Sequence, residues 1–112
     1  MKKDKVYISG PITSIGVDAA RERFNNTEEY LKALGYRTCN PMKMRLPVWM
    51  AIHLKKSGYK LCLLMELVWL AMTCDIIYLQ RGWHESRGAK AEKSLAKAIG
   101  LPILFEQSKA DT

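Results

Sequence analysis

Glu92 is the residue whose type and place in the sequence most clearly suggest chemistry. In a helix over Gly88–Ile99, a helical wheel turns Glu92 inward, while lysines take the other face. Burial raises the pKa of such an acid, whereas helix N-terminal amides and hydroxyl donors lower it. A charged, poorly hydrated carboxylate can attack an anomeric carbon. The alternative is a glutamate that extends into solvent or pairs with Lys93 or Lys97. The residues that share its stripe are Gly88, Leu95, Ala96 and Ile99.

The loop before this helix contains residues suited to binding an anion. Gly82, Ser86 and Gly88 precede Glu92, and N–H groups at a helix start can hold a phosphate. The alternative is an ordinary turn in which Ser86 caps the helix. In the same loop, the ring of Trp83 could stack on a base, or it could be a lid or interface residue. The loop has neither the glycine-rich dinucleotide motif nor a P-loop.

Tyr7 lies inside the first predicted strand, Lys5–Gly10, two residues before Ser9. A central strand normally carries Val or Ile where no polar tip is needed, so the Tyr7 hydroxyl could reach a site at the strand end. The alternative is a core tyrosine whose hydroxyl donates to a nearby carbonyl.

Strand-like and helix-like segments alternate along the chain. This alternation predicts a parallel sheet with right-handed crossovers and a ligand site at the carboxyl ends of the strands. The segments expected at that edge are Ser9–Gly16, Asn40–Met44 and Gln80–Ala89, whereas Asp75 belongs to the opposite edge as a strand-entry residue. The predicted strands are Lys5–Gly10, Tyr36–Asn40, Asp75–Gln80 and Leu101–Glu106. The predicted helices are Asp18–Leu34, Trp49–Lys56, Tyr59–Thr73 and Gly88–Ile99.

Helix boundaries and faces follow from glycines and apolar spacing. Gly35, Gly58 and Gly100 are placed to end the first, second and last helices. The Tyr59–Thr73 helix is apolar on nearly every face, as expected of a helix between the sheet and another surface such as a second subunit. Its apolar run is shorter than the ~20 residues that a bilayer requires and contains Glu66. The first helix should bury a stripe made of Ala20, Phe24, Tyr30, Leu31 and Leu34.

The composition fits one compact domain over residues 1–106, with 107–112 as a flexible tail. A formal charge of +7 favours anionic partners. Because the basic residues are scattered and not interleaved with aromatic ones, small anions are favoured over nucleic acid, and a basic nucleic-acid-binding module is an alternative. The start of the chain has no apolar leader, so we expect a cytoplasmic protein.

Cysteine and histidine usage predicts neither a metal site nor a disulfide framework, and we expect no cofactor. The residues concerned are widely spaced and form no paired metal-binding motif. They are Cys39, Cys62, Cys74, His53 and His84.

Together these segments resemble the nucleoside 2-deoxyribosyltransferase-like superfamily, in particular its small single-domain branch related to deoxynucleoside 5-monophosphate N-hydrolases. The matching pieces occur in order over most of the chain. They are Val6–Thr13, Asn40-Pro41, Cys74–Leu79, Gly82-Trp83, and Ser86–Ala89 followed by Glu92.

The resemblance implies a flavodoxin-like, Rossmann-like three-layer sandwich with a parallel four-stranded sheet, and homodimers or larger homo-oligomers with sites near the contacts. It implies cleavage of the base–deoxyribose bond of a nucleoside or nucleotide. Glu92 would be the nucleophile that forms a covalent deoxyribosyl intermediate, with Tyr7 hydrogen-bonded to it. The residues expected to bind substrate are Ser9, Gly10, Pro11, Ile12, Thr13, Gly82, Trp83, Ser86 and Gly88.

One position departs from the family pattern. Active relatives carry an Asp eight residues before the acid that corresponds to Asp75, where this chain has Leu67. Glu66 could replace that acid only if the helix register shifts by one residue. The departure leaves open an inactive nucleotide sensor on the same fold. The hydroxyl of Ser86, where classical transferases have an acid, favours nucleotide hydrolysis over transfer to a second base.

Overall fold

The computed structural model describes residues 4–12, 14–43 and 55–107, and for residues 55–63 only the backbone. The predicted substrate residue Thr13 and most of the predicted helix Trp49–Lys56 therefore lie outside the described residues, as does the tail from residue 108 onward.

Four parallel strands form one sheet in the order β2-β1-β3-β4. Their bounds are Lys5–Ser9 for β1, Arg37–Cys39 for β2, Ile76–Leu79 for β3 and Ile103–Phe105 for β4. Tyr7 of β1 is paired with Cys39 on one side and Ile77 on the other. The sheet confirms the predicted α/β, flavodoxin-like fold.

Three helices of the described chain cover the two faces of this sheet. They are α1, Val17–Ala33; α2, Lys55–Thr73; and α3, Arg87–Ile99. Side chains alternate between faces along a strand, so Val6 and Ile8 pack with Phe24 of α1. Tyr7 faces the other way and packs with Leu70 of α2 and Ala96 of α3. The result is the predicted three-layer sandwich.

Two helices end where glycines were predicted to end them. Gly35 follows α1 with φ 98° and Gly100 follows α3 with φ 82°, a left-handed conformation that favours glycine. The Leu101 N–H then donates to the Ala96 carbonyl at 2.8 Å, which satisfies a carbonyl of the last turn.

The prediction for Gly58 was wrong, because α2 runs from Lys55 through it to Thr73. A glycine inside a helix costs only about 1 kcal/mol relative to alanine, which the rest of a long helix outweighs. The predicted stripe of α1 was also wrong in part. Ala20, Phe24 and Leu31 are buried, but Tyr30 and Leu34 are 55% and 58% exposed beside the edge strand β4, where no further layer of the described chain covers them.

Helix α2 leaves an apolar stripe uncovered. Leu64, Val68 and Met72 are 56%, 52% and 78% exposed, while Leu70 on the other side is buried. Within the described residues, no helix is long and apolar enough to span a bilayer. The prediction that this helix packs between two surfaces is confirmed on the side that faces the sheet. The other side, which carries the stripe, faces solvent in the single chain.

Candidate functional site

The carboxylate of Glu92 is buried and held by two hydroxyl groups. Its side chain lies one turn into α3 and the residue is 4% exposed. The Tyr7 hydroxyl donates to Oε2 at 2.5 Å, and the Ser9 hydroxyl donates to Oε1 at 2.6 Å. Each carboxylate oxygen thus accepts one short hydrogen bond, and the alternative that Glu92 extends into solvent is wrong.

The strand and helix periods bring these three groups together. Tyr7 and Ser9 are two residues apart on β1, so both side chains point to the face that α3 covers. Ser86 accepts a hydrogen bond from the Ala89 N–H at 3.2 Å, which caps the start of α3. Ala89, Glu92 and Ala96 then form the buried side of the helix. The small alanines let α3 approach the sheet closely enough for Glu92 to reach β1.

A second acid lies beside Glu92. Glu66 of α2 is half-buried and its carboxyl hydrogen-bonds with that of Glu92. Burial and the neighbouring charge of Glu92 together raise the pKa of Glu66 to about 8. Burial raises the pKa of Glu92 to about 7, although hydrogen bonds from Ser9, Tyr7 and Glu66 oppose the rise. As pH rises, Glu92 therefore loses its proton before Glu66 does, and between about pH 7 and 8 the pair carries mainly one charge, on Glu92.

Sequence reasoning left the role of Glu66 open. The signal for it was a lone acid in an apolar run, and the helix turns that acid toward Glu92 while Leu67 beside it is also half-buried. The rotation of α2 about its axis decides which of these two adjacent residues faces the site. A helix that is apolar on nearly all of its faces gives no pattern from which that rotation can be predicted.

Tyr7 acts as a neutral donor in this arrangement. Burial raises the pKa of its hydroxyl well above the usual value, and the charge of Glu92 raises it further. The Trp69 ring of α2 packs edge-on against Tyr7 with 6.2 Å between ring centroids. Tyr7 is a core residue, as the alternative held, but its hydroxyl donates to a carboxylate and not to a carbonyl.

No cation neutralises Glu92 among the described residues, unlike the other buried acid, Glu28. Lys43 Nζ lies 2.6 Å from Glu28 Oε1, Thr38 donates to Oε2 at 2.8 Å, and Asn40 is also bonded to it. Burial opposes the charge of Glu28, but these partners hold its pKa below the ordinary value. Glu28 ties α1 to β2, which is a structural role, whereas Glu92 is buried without a cation beside it among the described residues.

The turns after β1 and β3 meet at the carboxyl edge. Gly82 has φ 82°, and a Cβ built on it would lie 3.4 Å from Pro11 Cγ. A Cβ on Gly10 would lie 2.8 Å from Gln80 Cβ, so no larger residue fits there. The Gln80 carboxamide is buried and has no hydrogen-bond partner within the described residues. Ile12 is half-buried against the α1 side of the core. Gly10, Pro11 and Gly82 thus adjoin one another.

Other predicted site residues take different positions. Trp83 packs against Phe105 with ring centroids 6.1 Å apart, and Lys93 Nζ lies 5.0 Å from its ring centroid. That contact removes Lys93 as a partner for Glu92 and occupies one face of the Trp83 ring. Gly88 lies half-buried in the first turn of α3.

Among the described residues, no group of three or more His, Cys, Asp or Glu side chains could share a metal ion. Asp75 accepts a hydrogen bond from the Lys5 N–H at 2.9 Å, which confirms it as a strand-entry residue.

The raised pKa values predict how stability depends on pH. Glu66 and Glu92 keep their protons to higher pH when folded than when unfolded, where the ordinary value is 4.5. Their contribution to stability is therefore complete below about pH 4.5 and is lost as pH rises through about 7 and 8. In Glu66→Gln, we expect the free energy of unfolding in urea to fall less steeply between about pH 5 and pH 9 than in the wild type.

The exposed Glu29 provides a matched control, because Glu29→Gln removes the same charge from the outer side of α1. That variant should keep the wild-type slope. Equal slopes in the wild type and Glu66→Gln would contradict a shared proton at the carboxyl pair.

A comparison with curated proteins gave no match. Among protein families, the chain matches the one described as Domain of unknown function (DUF4406), over residues 4–105. The match runs from the residue before β1 to the end of β4 and includes Tyr7, Ser9, Glu66 and Glu92. The chain therefore belongs to the DUF4406 family.

Proposed function

We propose that this protein breaks the N-glycosidic bond of 2-deoxyribonucleosides or their 5-monophosphates, with Glu92 as nucleophile. The observation that carries the proposal is the buried Glu92 carboxylate, which accepts hydrogen bonds from Tyr7 and Ser9 and contacts a second acid. Burial removes the hydration that would weaken a nucleophile, and hydrogen bonds from the two hydroxyls favour its charged form. The likeness to the nucleoside 2-deoxyribosyltransferase-like superfamily supports the same role.

In the first step, a Glu92 oxygen attacks C1′ of the deoxyribose while the bond from C1′ to the base nitrogen breaks. The electron pair of that bond leaves with the base, and the Glu66 proton moves to the base. Glu66 is suited to donate because its pKa is raised to about 8. A covalent deoxyribosyl ester on Glu92 results. Tyr7 and Ser9 position the carboxylate through their hydrogen bonds.

In the second step, the Glu66 carboxylate takes a proton from water as the water oxygen attacks C1′. The ester bond to Glu92 breaks, Glu92 regains its charge, and free deoxyribose or its 5-phosphate leaves. Two displacements at the same carbon retain the configuration. If a second base attacked C1′ in place of water, the same intermediate would give transfer of the sugar and the protein would be a transferase.

A 5-phosphate fits the start of α3. The first N–H groups of a helix have no intrahelical partner and favour an anion, and the exposed Arg87 adds a positive charge at this end. Ser86 and Gly88 flank it, and the net charge of +7 also favours an anionic substrate. Nucleoside 5-monophosphates are therefore our preferred substrates.

An inactive nucleotide sensor is the second candidate, because Leu67 stands where active relatives have an acid. The contact between Glu66 and Glu92 favours the enzyme, since a sensor has no need of a buried acid pair that shares a proton. A sensor would bind deoxynucleotides without releasing base.

The first test is release of free base from a panel of deoxynucleosides and their 5-monophosphates, followed by chromatography. We expect release by the wild type and a loss of roughly 1000-fold or more in Glu92→Gln, because the nucleophile is removed. Glu29→Gln, on the outer side of α1, should match the wild type. Nucleotide binding without base release in the wild type would support the sensor and contradict the enzyme.

A second test isolates the proton donor. Glu66→Gln should lower the rate of base release in a single turnover, which reports the first step alone, by about 100-fold on deoxyguanosine 5-monophosphate, because a neutral leaving base requires a proton. It should lower this rate less than about tenfold on the 7-methylguanine analogue, whose base already carries a positive charge and leaves without protonation. Equal losses on both substrates would contradict the role of Glu66 as acid.

We also propose that a second copy of the chain covers the exposed stripe of α2, defined by Leu64, Val68 and Met72. The side chains from Leu64 to Thr73 include no base and only one acid, Glu66, which is turned to the site. Such a surface favours an apolar contact. Because α2 carries Glu66, the contact would lie close to the acid pair.

Light scattering tests this contact. The wild type should have the mass of a dimer, and Met72→Glu should shift it toward the monomer because a charge would be buried in the interface. Ser94→Glu adds the same charge on an exposed position of α3 and should remain dimeric. A monomeric wild type at all concentrations would refute the proposal.

A further inference from the structure

Cys39 and Cys74 form a pair of free thiols in contact. Cys39 is the last residue of β2 and Cys74 lies between α2 and β3, so the fold joins positions far apart in the sequence. The Cys74 thiol donates to Cys39 Sγ at 3.1 Å. The two residues are 1% and 6% exposed and belong to the core cluster that contains Tyr7. Their sulfur atoms are close enough to bond after only a small movement.

The surroundings favour a thiolate at one of the two sulfurs. The hydrogen bond from Cys74 and the positive charge of Lys5 outweigh burial and lower the pKa of Cys39 to about 7. The same hydrogen bond raises the pKa of Cys74. Near neutral pH a large part of the molecules therefore holds a single proton between the two sulfurs, and the thiolate form is the one that reacts with oxidants.

Cys74 is the member of this pair that a small oxidant can approach, from the edge of the sheet opposite Glu92. Cys74 lines an open cavity of about 530 Å³ at the amino ends of the strands. Asp4, Arg37 and Asp75 line the same cavity, so its walls are polar. Access does not depend on opening the Glu92 site.

We propose that Cys39 and Cys74 are a redox modification site, which hydrogen peroxide converts into an intramolecular disulfide. The Cys74 sulfur attacks one peroxide oxygen as its proton passes to the Cys39 thiolate, the O–O bond breaks, and a sulfenic acid on Cys74 and water form once a proton is taken up. The second thiol then attacks the sulfenic sulfur, the S–O bond breaks, and a second water leaves. Overall, two thiols give two electrons and two protons to one peroxide. A dithiol reductant reverses the bond.

The disulfide would join the end of β2 to the end of α2 and close the chain segment between them. Cys39 is paired with Tyr7 across the sheet, and the Cys74 N–H donates to the Leu70 carbonyl of α2 at 3.2 Å. A cross-link over so long a segment restricts the unfolded chain, so we expect oxidation to raise Tm by about 10 °C. This inference does not depend on the proposed enzymatic function.

The experiment is titration of the full chain with hydrogen peroxide, read by intact mass, peptide mapping and thermal unfolding. No Lys or Arg separates Cys62 from Cys74, so trypsin leaves both in one peptide, and Cys62→Ala makes the assignment unambiguous. The wild type and Cys62→Ala should lose two hydrogen atoms, link Cys39 to Cys74 and gain Tm, all reversed by dithiothreitol. Cys39→Ala and Cys74→Ala should form no such link.

Three results would overturn the inference. The first is the formation of sulfinic acids in place of the Cys39–Cys74 link in both the wild type and Cys62→Ala. The second is a link through Cys62, or between chains, in the wild type. The third is an oxidised protein whose Tm is lower than that of the reduced protein. Mapping the wild type itself keeps the test decisive even if one of the alanine variants fails to fold.

Discussion

The hydrogen bonds from Tyr7 and Ser9 to Glu92 favour the charged form of a carboxylate whose burial disfavours charge. An unpaired buried charge is costly, and the described residues place no cation beside this one, so the two short hydrogen bonds are its main stabilisation. Glu28 is buried too, but two lysines, a threonine and an asparagine contact it. The fold thus treats two buried acids differently, because lysines neutralise Glu28 and hydroxyl groups hold Glu92.

Three separate elements must meet for this arrangement to form. The alternation of β1 places both hydroxyls on one face, the small residues of α3 bring Glu92 to that face, and α2 supplies Glu66. A change in the rotation of α2 or α3 by one residue would separate the two acids. The Tyr7 ring, wedged against Trp69 of α2, links the packing of the core to the chemistry of the site.

The sequence predicted what depends on local periodicity. Alternating strand and helix patterns identified four parallel strands, and the wheel of α3 identified Glu92 as inward-facing. Prediction from the sequence failed where contacts with neighbouring elements determine which side chains are buried. Tyr30 and Leu34 are apolar at helical spacing, but they lie beside the edge strand β4, where nothing in the described chain covers them. Glu66 could not be assigned either, since α2 is apolar on nearly every face and its rotation is fixed by contacts with α3 and the sheet.

The central claim is that Glu92 forms a covalent bond to C1′, and trapping that bond tests it most directly. A 2-fluoro-arabinosyl nucleotide slows hydrolysis of the ester because fluorine destabilises the positive charge at C1′. The account predicts that mass spectrometry finds the sugar on the peptide containing Glu92 and finds no adduct in Glu92→Gln. An adduct on a different residue, or base release from the wild type with no covalent species at any time, would contradict it.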